Sequence, residues 1–401
     1  MTRLSISRSE PSGSAQAESA AVARRSSLGS SQVDALGALR ELLEESDFLT
    51  IHRLHCYELA PRHLEASLRQ TLEHAPDRTR LLFELLYFEE PLRREEAEEV
   101  LGVSLTRALE ELEILFEPEA GALACRNPLR LIGETLLFTE SLERRPEAVY
   151  YGEDSQFLRA VSTPRPGEVC ADLCTGTGIQ GLRCAQVAER VDLVDVHPPA
   201  VRLAELNAAL NSASDRVEVF AGDLWEALPA ERRYDYVVCN PPLMPVAEEV
   251  DFPLYGHGGA DGLNVVRRLL AGLPERLSEG GRCTVIGACT GDEDQSEIER
   301  LAHEVLDPGH RTKIFLLLRS PLRDWVLMIA KTAALYSESL SFSNAVLNSR
   351  LAYRQRPDDT MVYTYLLQTT KVPGTGTCEI IDYSRVGQRS FWFVNRGTIA
   401  E

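Results

Sequence analysis

Apolar residues recur at i, i+3 and i+4 through ALGALRELLEES, PRHLEASLRQTLEHA, RTRLLFELLYFEE, REEAEEVLG and TRALEELEILFE, which predicts helices from about Val33 to Arg145. The last of these, followed by EPEAGALACR as a possible hairpin, has the element order of a winged helix. Beyond Arg145 the period changes. Short β-like runs alternate with helical ones, predicting a doubly wound parallel sheet. The expected strands are Glu168–Leu173, Arg190–Val196, Val217–Ala221, Tyr234–Cys239, Arg282–Ala288, Lys313–Leu318 and Trp325–Ala330, the last closing the sheet as an antiparallel hairpin. Helices are expected near Ile179–Ala188, Ala200–Asn211, Gly262–Leu277 and Gln295–Val305. The expected domains are a disordered Ser/Ala-rich leader (1–30), a helical N-terminal domain (31–148), the α/β domain (149–332) and a β-rich C-terminal extension (333–401) carrying TMVYTYLLQTT and RSFWFVN.

Composition narrows what the chain can do. Its 401 residues, 44% hydrophobic and 26% charged, are ample for large cores. No run approaches the ~18–20 apolar residues of a bilayer-spanning helix, and MTRLSISRSEPSGSAQAES lacks the apolar stretch of a signal peptide, so a soluble cytoplasmic protein is expected. Formal charge is −19, and residues 31–150 hold 25 Asp plus Glu against 13 Arg and no Lys. Such a surface does not favour phosphate backbones, so nucleic acid is a disfavoured partner. The nine cysteines contain no C-x-x-C pair, which leaves zinc-ribbon readings without support, and no metal is expected.

The candidate chemistry lies at strand ends. The first strand runs into Asp172-Leu-Cys-Thr175-Gly176-Thr-Gly178-Ile-Gln-Gly181, a G-x-G-x-x-G opening a helix, where glycines permit a tight turn and close approach of a ligand. The second ends at Asp195-Val196, where a carboxylate can take both hydroxyls of a ribose. The third ends in Asp223-Leu224; Asp223 could also cap the following helix. The fourth ends in Asn240-Pro241-Pro242-Leu243. Two prolines cannot continue a strand, so the chain turns outward. The Asn240 side-chain carbonyl and the Pro241 backbone carbonyl can then accept hydrogen bonds from one planar –NH2 group. Catalysis there comes from positioning rather than from a strong base.

In order, DLCTGTGIQGL, DVHPPAVRLAELNA, AGDLWEAL, YDYVVCNPPL and GGADGLNVVRRLL resemble the class I S-adenosylmethionine-dependent methyltransferases of the small-domain N-methyltransferase group. Gly258–Leu270 in particular is similar to the release-factor glutamine methyltransferase branch. The resemblance implies a seven-stranded Rossmann-like domain and S-adenosylmethionine as cofactor. By the same resemblance Asp172, Gly176 and Gly178 would hold its methionine end, Asp195 its ribose and Asp223 its adenine amino group, with Thr175, Val196 and Leu224 beside them. Asn240 and Pro241 would grip the target nitrogen. Leu243 stands where an aromatic is common, and the tail exceeds the compact family enzyme.

The first expectation is therefore an N-methyltransferase acting on an amide or amine of a small molecule, specialised metabolite or peptide. Alternatives are methylation of a glutamine in a release factor, and a winged-helix regulator that senses the cofactor. A nicotinamide dehydrogenase has no use for Asp223 or the proline loop. Tyr151 or Asp154 is a candidate cofactor contact, Asp154 equally a helix cap, and His257 a candidate for proton removal. Tyr363, Tyr365, Phe391, Trp392 and Phe393 read as a sheet core face or as a lid over the acceptor. The acceptor and the oligomeric state have no signature in the sequence.

Overall fold

A computed structural model describes residues 28–55, 62–140, 148–306, 308–336 and 341–385. The α/β domain is built on one eight-stranded sheet: β1 (Val169–Leu173), β2 (Arg190–Asp195), β3 (Val217–Ala221), β4 (Tyr234–Cys239), β5 (Leu277–Gly291), β6 (Pro308–Pro321), β7 (Met361–Thr375) and β8 (Thr377–Asp382). The spatial order is β8-β6-β7-β5-β4-β1-β2-β3. β3, β2, β1, β4 and β5 are parallel to one another, β7 runs antiparallel between β5 and β6, and β8 pairs parallel with β6. The order reverses between β1 and β4, which is where a doubly wound sheet opens a crevice at its strand ends.

Helices cover both faces. On one lie α1 (Glu153–Val161), α2 (Ile179–Ala185) and α3 (Pro198–Leu210), which bury Leu158, Ile179, Leu182, Ala204 and Ala208 against Val191, Leu193 and Val238. On the other, α4 (Asn264–Arg276) and α5 (Glu297–Leu306) bury Val266, Leu269, Leu270, Leu273 and Ile298 against Val237, Val285 and Ile314. Both helical stripes follow the 3.6-residue period.

The expected seventh strand differs. Trp325–Ala330 lies inside α6 (Leu322–Tyr336), where Leu322, Trp325, Val326, Ile329, Ala330 and Ala333 are the buried residues. That spacing is helical, and it outweighs the β-branched content of the short run. α6 pairs with α7 (Phe342–Ala352), and only then does the chain return as β7. The boundary expected at 332/333 falls within α6. The β-rich character expected of the tail is present in β7 and β8, but these strands join the main sheet. Tyr363 and Tyr365 are buried in its core, which excludes them as a lid. Phe391, Trp392 and Phe393, and the leader through residue 27, lie outside the described residues.

The N-terminal region has the winged-helix order: a strand at Leu92–Arg93, helices Arg94–Leu101 and Val103–Glu111, and a three-stranded sheet completed by Leu115–Phe116 and Ala122–Cys125. A second hairpin, Leu129–Ile132 with Thr135–Phe138, follows. This region shares its core with α3, since Leu36, Leu39 and Phe138 cluster with Leu203, Leu206 and Leu210. No helix among the described residues is long and apolar enough to cross a membrane.

Candidate functional site

A cavity of about 550 Å³ opens where β1, β2, β3 and β4 end. Of the residues expected there, Thr175, Gly176, Asp195, Val196, Asp223, Leu224, Asn240 and Pro242 line it. Asp172, Gly178, Pro241 and Leu243 do not. Leu243 is buried with Met244, Val246 and Trp325 on the far side of the loop, so it offers the cavity no face of its own.

The glycine loop is shaped by left-handed backbone at Cys174, Gly176 and Gly178 (φ 60°, 55° and 84°). At Gly178 that conformation disfavours a Cβ, and at Gly181 a Cβ would collide with Leu193, so the second and third glycines let α2 close onto β2. Behind the loop, Asp172 Oδ2 accepts from Thr175 Oγ1 at 2.6 Å and from Gly181 N at 2.8 Å. Burial pushes the Asp172 carboxyl up to about 7, with those two donors opposing the rise. Asp172 thus holds the loop from beneath rather than from its open side.

Asp195 is fixed from both sides. Gly176 N donates to its Oδ2 and His197 N to its Oδ1, each at 2.9 Å. Burial raises its pKa, and these N–H groups counter it. One lone pair on each oxygen is spent on backbone, so the carboxylate is already oriented for a bidentate ligand. Asp223 makes no side-chain cap bond to the short helix it precedes. Its Oδ2 instead pairs with Arg268 at 2.8 Å, and both side chains are about half exposed at the cavity rim.

Asn240 is held through its amide nitrogen. Its Nδ2 donates to Asp154 Oδ2 at 3.1 Å and to Ser155 Oγ at 3.2 Å. Its Oδ1 is buried without a hydrogen-bond partner among the described residues. The Pro242–Met244 segment is braced by the glycine-rich turn that follows. A Cβ on Gly258 would lie 2.9 Å from the Pro242 and Met244 carbonyl oxygens, and one on Gly262 would collide with the Ala288 carbonyl oxygen. Tyr353 adds a second brace, donating to Pro245 O at 2.6 Å and accepting from Ala247 N at 3.0 Å.

Tyr150 and Ser155, from the segment Tyr150–Leu158 read in the sequence as a cover for the cofactor, also line the cavity, as do Tyr255 and Arg268, which the sequence did not single out. Tyr150 and Tyr255 stack with centroids 5.2 Å apart and planes 14° apart, an aromatic wall for the cavity. Tyr151 packs into the core rather than the cavity. His257 lines the cavity, and its Nδ1 accepts from Gly259 N at 3.3 Å.

Strand order, glycine loop and acidic strand ends together define a Rossmann-like nucleoside-binding domain. A family model, the methyltransferase small domain, matches residues 153–301. A putative protein N5-glutamine methyltransferase of Methanocaldococcus jannaschii is 30% identical over 195 residues, 47% of this chain and 94% of that protein. The ribosomal protein uL3 glutamine methyltransferase of Bordetella pertussis is 40% identical over 131 residues, 30% of this chain and 44% of that protein. The release factor glutamine methyltransferase of Mycolicibacterium smegmatis is 36% identical over 186 residues, 42% of this chain and 65% of that protein. The chain therefore belongs to the class I S-adenosylmethionine-dependent methyltransferases, in the small-domain group close to the glutamine methyltransferases. It spans less than half the length of the Bordetella relative.

Proposed function

We propose that this protein methylates the side-chain amide nitrogen of a glutamine in a protein of the translation apparatus, with S-adenosylmethionine as donor. The observation that carries the reading is Asn240 Oδ1, a buried acceptor at the cavity wall with no partner among the described residues, while its Nδ2 is held by Asp154 and Ser155. A buried unpaired carbonyl is costly unless a ligand donates to it. An N–H of a planar –NH2 group is the donor that fits. The relatives named as glutamine methyltransferases support an amide acceptor on a protein over the small molecule first expected.

When bound, S-adenosylmethionine supplies an electrophilic methyl whose bonding pair stays on sulfur as carbon passes to nitrogen, and the nitrogen loses one proton to water. The loop Thr175–Thr177 would hold its methionine end, Asp195 its ribose, and Asp223, Leu224 and Arg268 would border its adenine. Asn240 would orient the acceptor nitrogen, and the Tyr150–Tyr255 pair would supply the aromatic face that Leu243 lacks.

The test is incubation with methyl-labelled cofactor and separately purified release factors and ribosomal protein uL3, read by peptide mass spectrometry. A methyl group on one glutamine, absent with Asn240→Ala at unchanged cofactor affinity, is the expected result. Labelling confined to a small-molecule fraction would return the acceptor to the first expectation. Cofactor binding without transfer to any pool would favour a sensor.

A further inference from the structure

We propose that Asp154 and Ser155 are positioning residues for the transfer: together they lock the Asn240 amide with its oxygen toward the acceptor and its nitrogen away. This deepens the reading above and rests on it for the identity of the acceptor, though not for the lock itself.

An asparagine amide has two nearly isosteric orientations, and a wrong one would present donors to an acceptor that is itself a donor. Here Nδ2 donates to two oxygens, the Asp154 carboxylate at 3.1 Å, which when ionised can only accept, and the Ser155 hydroxyl at 3.2 Å, which accepts in this orientation. Turning the amide over would set Oδ1 against the Asp154 carboxylate, an acceptor facing an acceptor in a buried site. That is the repulsive alternative that fixes the orientation.

Asp154 is held for this task. Although it sits in the first turn of α1, the N-cap of that helix is Gly152, whose backbone N–H is taken by Ser155 Oγ at 3.5 Å rather than by Asp154. Its Oδ1 accepts from Tyr150 Oη at 2.7 Å and its Oδ2 from Asn240. It is 4% exposed and does not line the cavity, so it acts through Asn240. Gly152 leaves the room: a Cβ there would collide with the Tyr150 hydroxyl. Ser155 is anchored by its backbone carbonyl, which accepts from Gln180 Nε2 at 2.7 Å, tying α1 to the first turn of α2. A carboxylate behind the amide nitrogen also polarises Asn240, which makes its oxygen a better acceptor for a nitrogen that gains positive character during transfer.

Two measurements test this. With the glutamine-bearing acceptor, Asp154→Asn, which keeps size but can offer donors to Asn240, should lower kcat at least tenfold, leaving the cofactor Kd within threefold and the melting temperature near that of the parent. Ser155→Ala should do the same more weakly. Retention of kcat within twofold in Asp154→Asn would overturn the proposal. So would a matching fall in cofactor affinity and melting temperature, the mark of a merely structural role. Independently of any acceptor, 15N-asparagine labelling gives side-chain amide signals, with Asn240 identified by their loss in Asn240→Asp. Its two protons should exchange at least tenfold faster in Asp154→Asn and Ser155→Ala. Unchanged exchange overturns the lock, whereas the expected acceleration in both variants, with no glutamine methylation by the parent, faults only the acceptor assignment.

Discussion

Asn207 on α3 and Phe138 in the second N-terminal hairpin exchange two hydrogen bonds, Phe138 N to Asn207 Oδ1 at 2.8 Å and Asn207 Nδ2 to Phe138 O at 3.0 Å, as two neighbouring strands would. The same Nδ2 donates to Thr177 O, inside the glycine loop, at 2.9 Å. Asn211, one turn on, repeats the exchange with Leu136. One fully buried amide thus joins the N-terminal domain to the cofactor cavity. Asn207→Leu should cost about 3 kcal/mol, because backbone groups of Phe138 and Thr177 lose their partners. It should also weaken cofactor binding severalfold. Urea denaturation and calorimetric titration read the two effects; a variant as stable as its parent would refute the role.

Two glycines at the same φ should behave differently. Gly262 (φ 83°) abuts the Ala288 carbonyl, whereas Gly280 (φ 77°) has open space around it. Gly280→Ala should cost only the conformational strain, ~1 kcal/mol. Gly262→Ala must displace the turn that braces Pro242–Met244, so turnover should fall by at least tenfold in steady-state assays while the folded fraction by circular dichroism stays high.

Stability should decline with pH through the Asp172 window. Below about pH 4 both folded and unfolded states carry the proton. Between there and about 7 the buried carboxyl keeps a proton that the unfolded chain has released. The folded state then binds more protons, and stability falls as pH rises, by roughly 1.4 kcal/mol per pH unit at steepest. Asp172→Asn removes this contribution. Denaturation midpoints of parent and variant between pH 4.5 and 7.5 should therefore diverge; parallel curves would exclude it.

The helical reading of α6 is checked by two substitutions. Ile329 is buried and Leu327 is 48% exposed. Ile329→Ala should destabilise by about 2–5 kcal/mol, and Leu327→Ala by less than about 0.5 kcal/mol. Equal losses at both positions would contradict the buried stripe.

The parallel core of the sheet and its strand-end motifs were legible because each is local: a β-run, its turn and the polar residue at its exit lie within a few residues. Asp195, Asp223 and Asn240 were found that way, and all three line the cavity. What escaped was long-range or ambiguous. WVLMIA fits a strand and a buried helix equally until its full fifteen residues are counted. The Asn207 clip and the Arg268–Asp223 pair join residues distant in sequence, and nothing local marks them. Asp154 read equally as a cofactor contact or a helix cap, because only its place in the first turn was local; its partner Asn240 lies 86 residues away.

The placement of β7 has a consequence for how the chain is assembled. β6 is made first, yet both its neighbours, β7 and β8, are made after α6 and α7. A growing chain that has emerged only as far as Pro321 holds β6 with nothing to pair to, and β5 as a bare edge of the kind that recruits other chains. Arrival of Met361–Asp382 supplies the missing partner and seals both at once. The sheet therefore closes from its interior, late and in a single event, and a fragment ending before β7 should be found in aggregates rather than in solution.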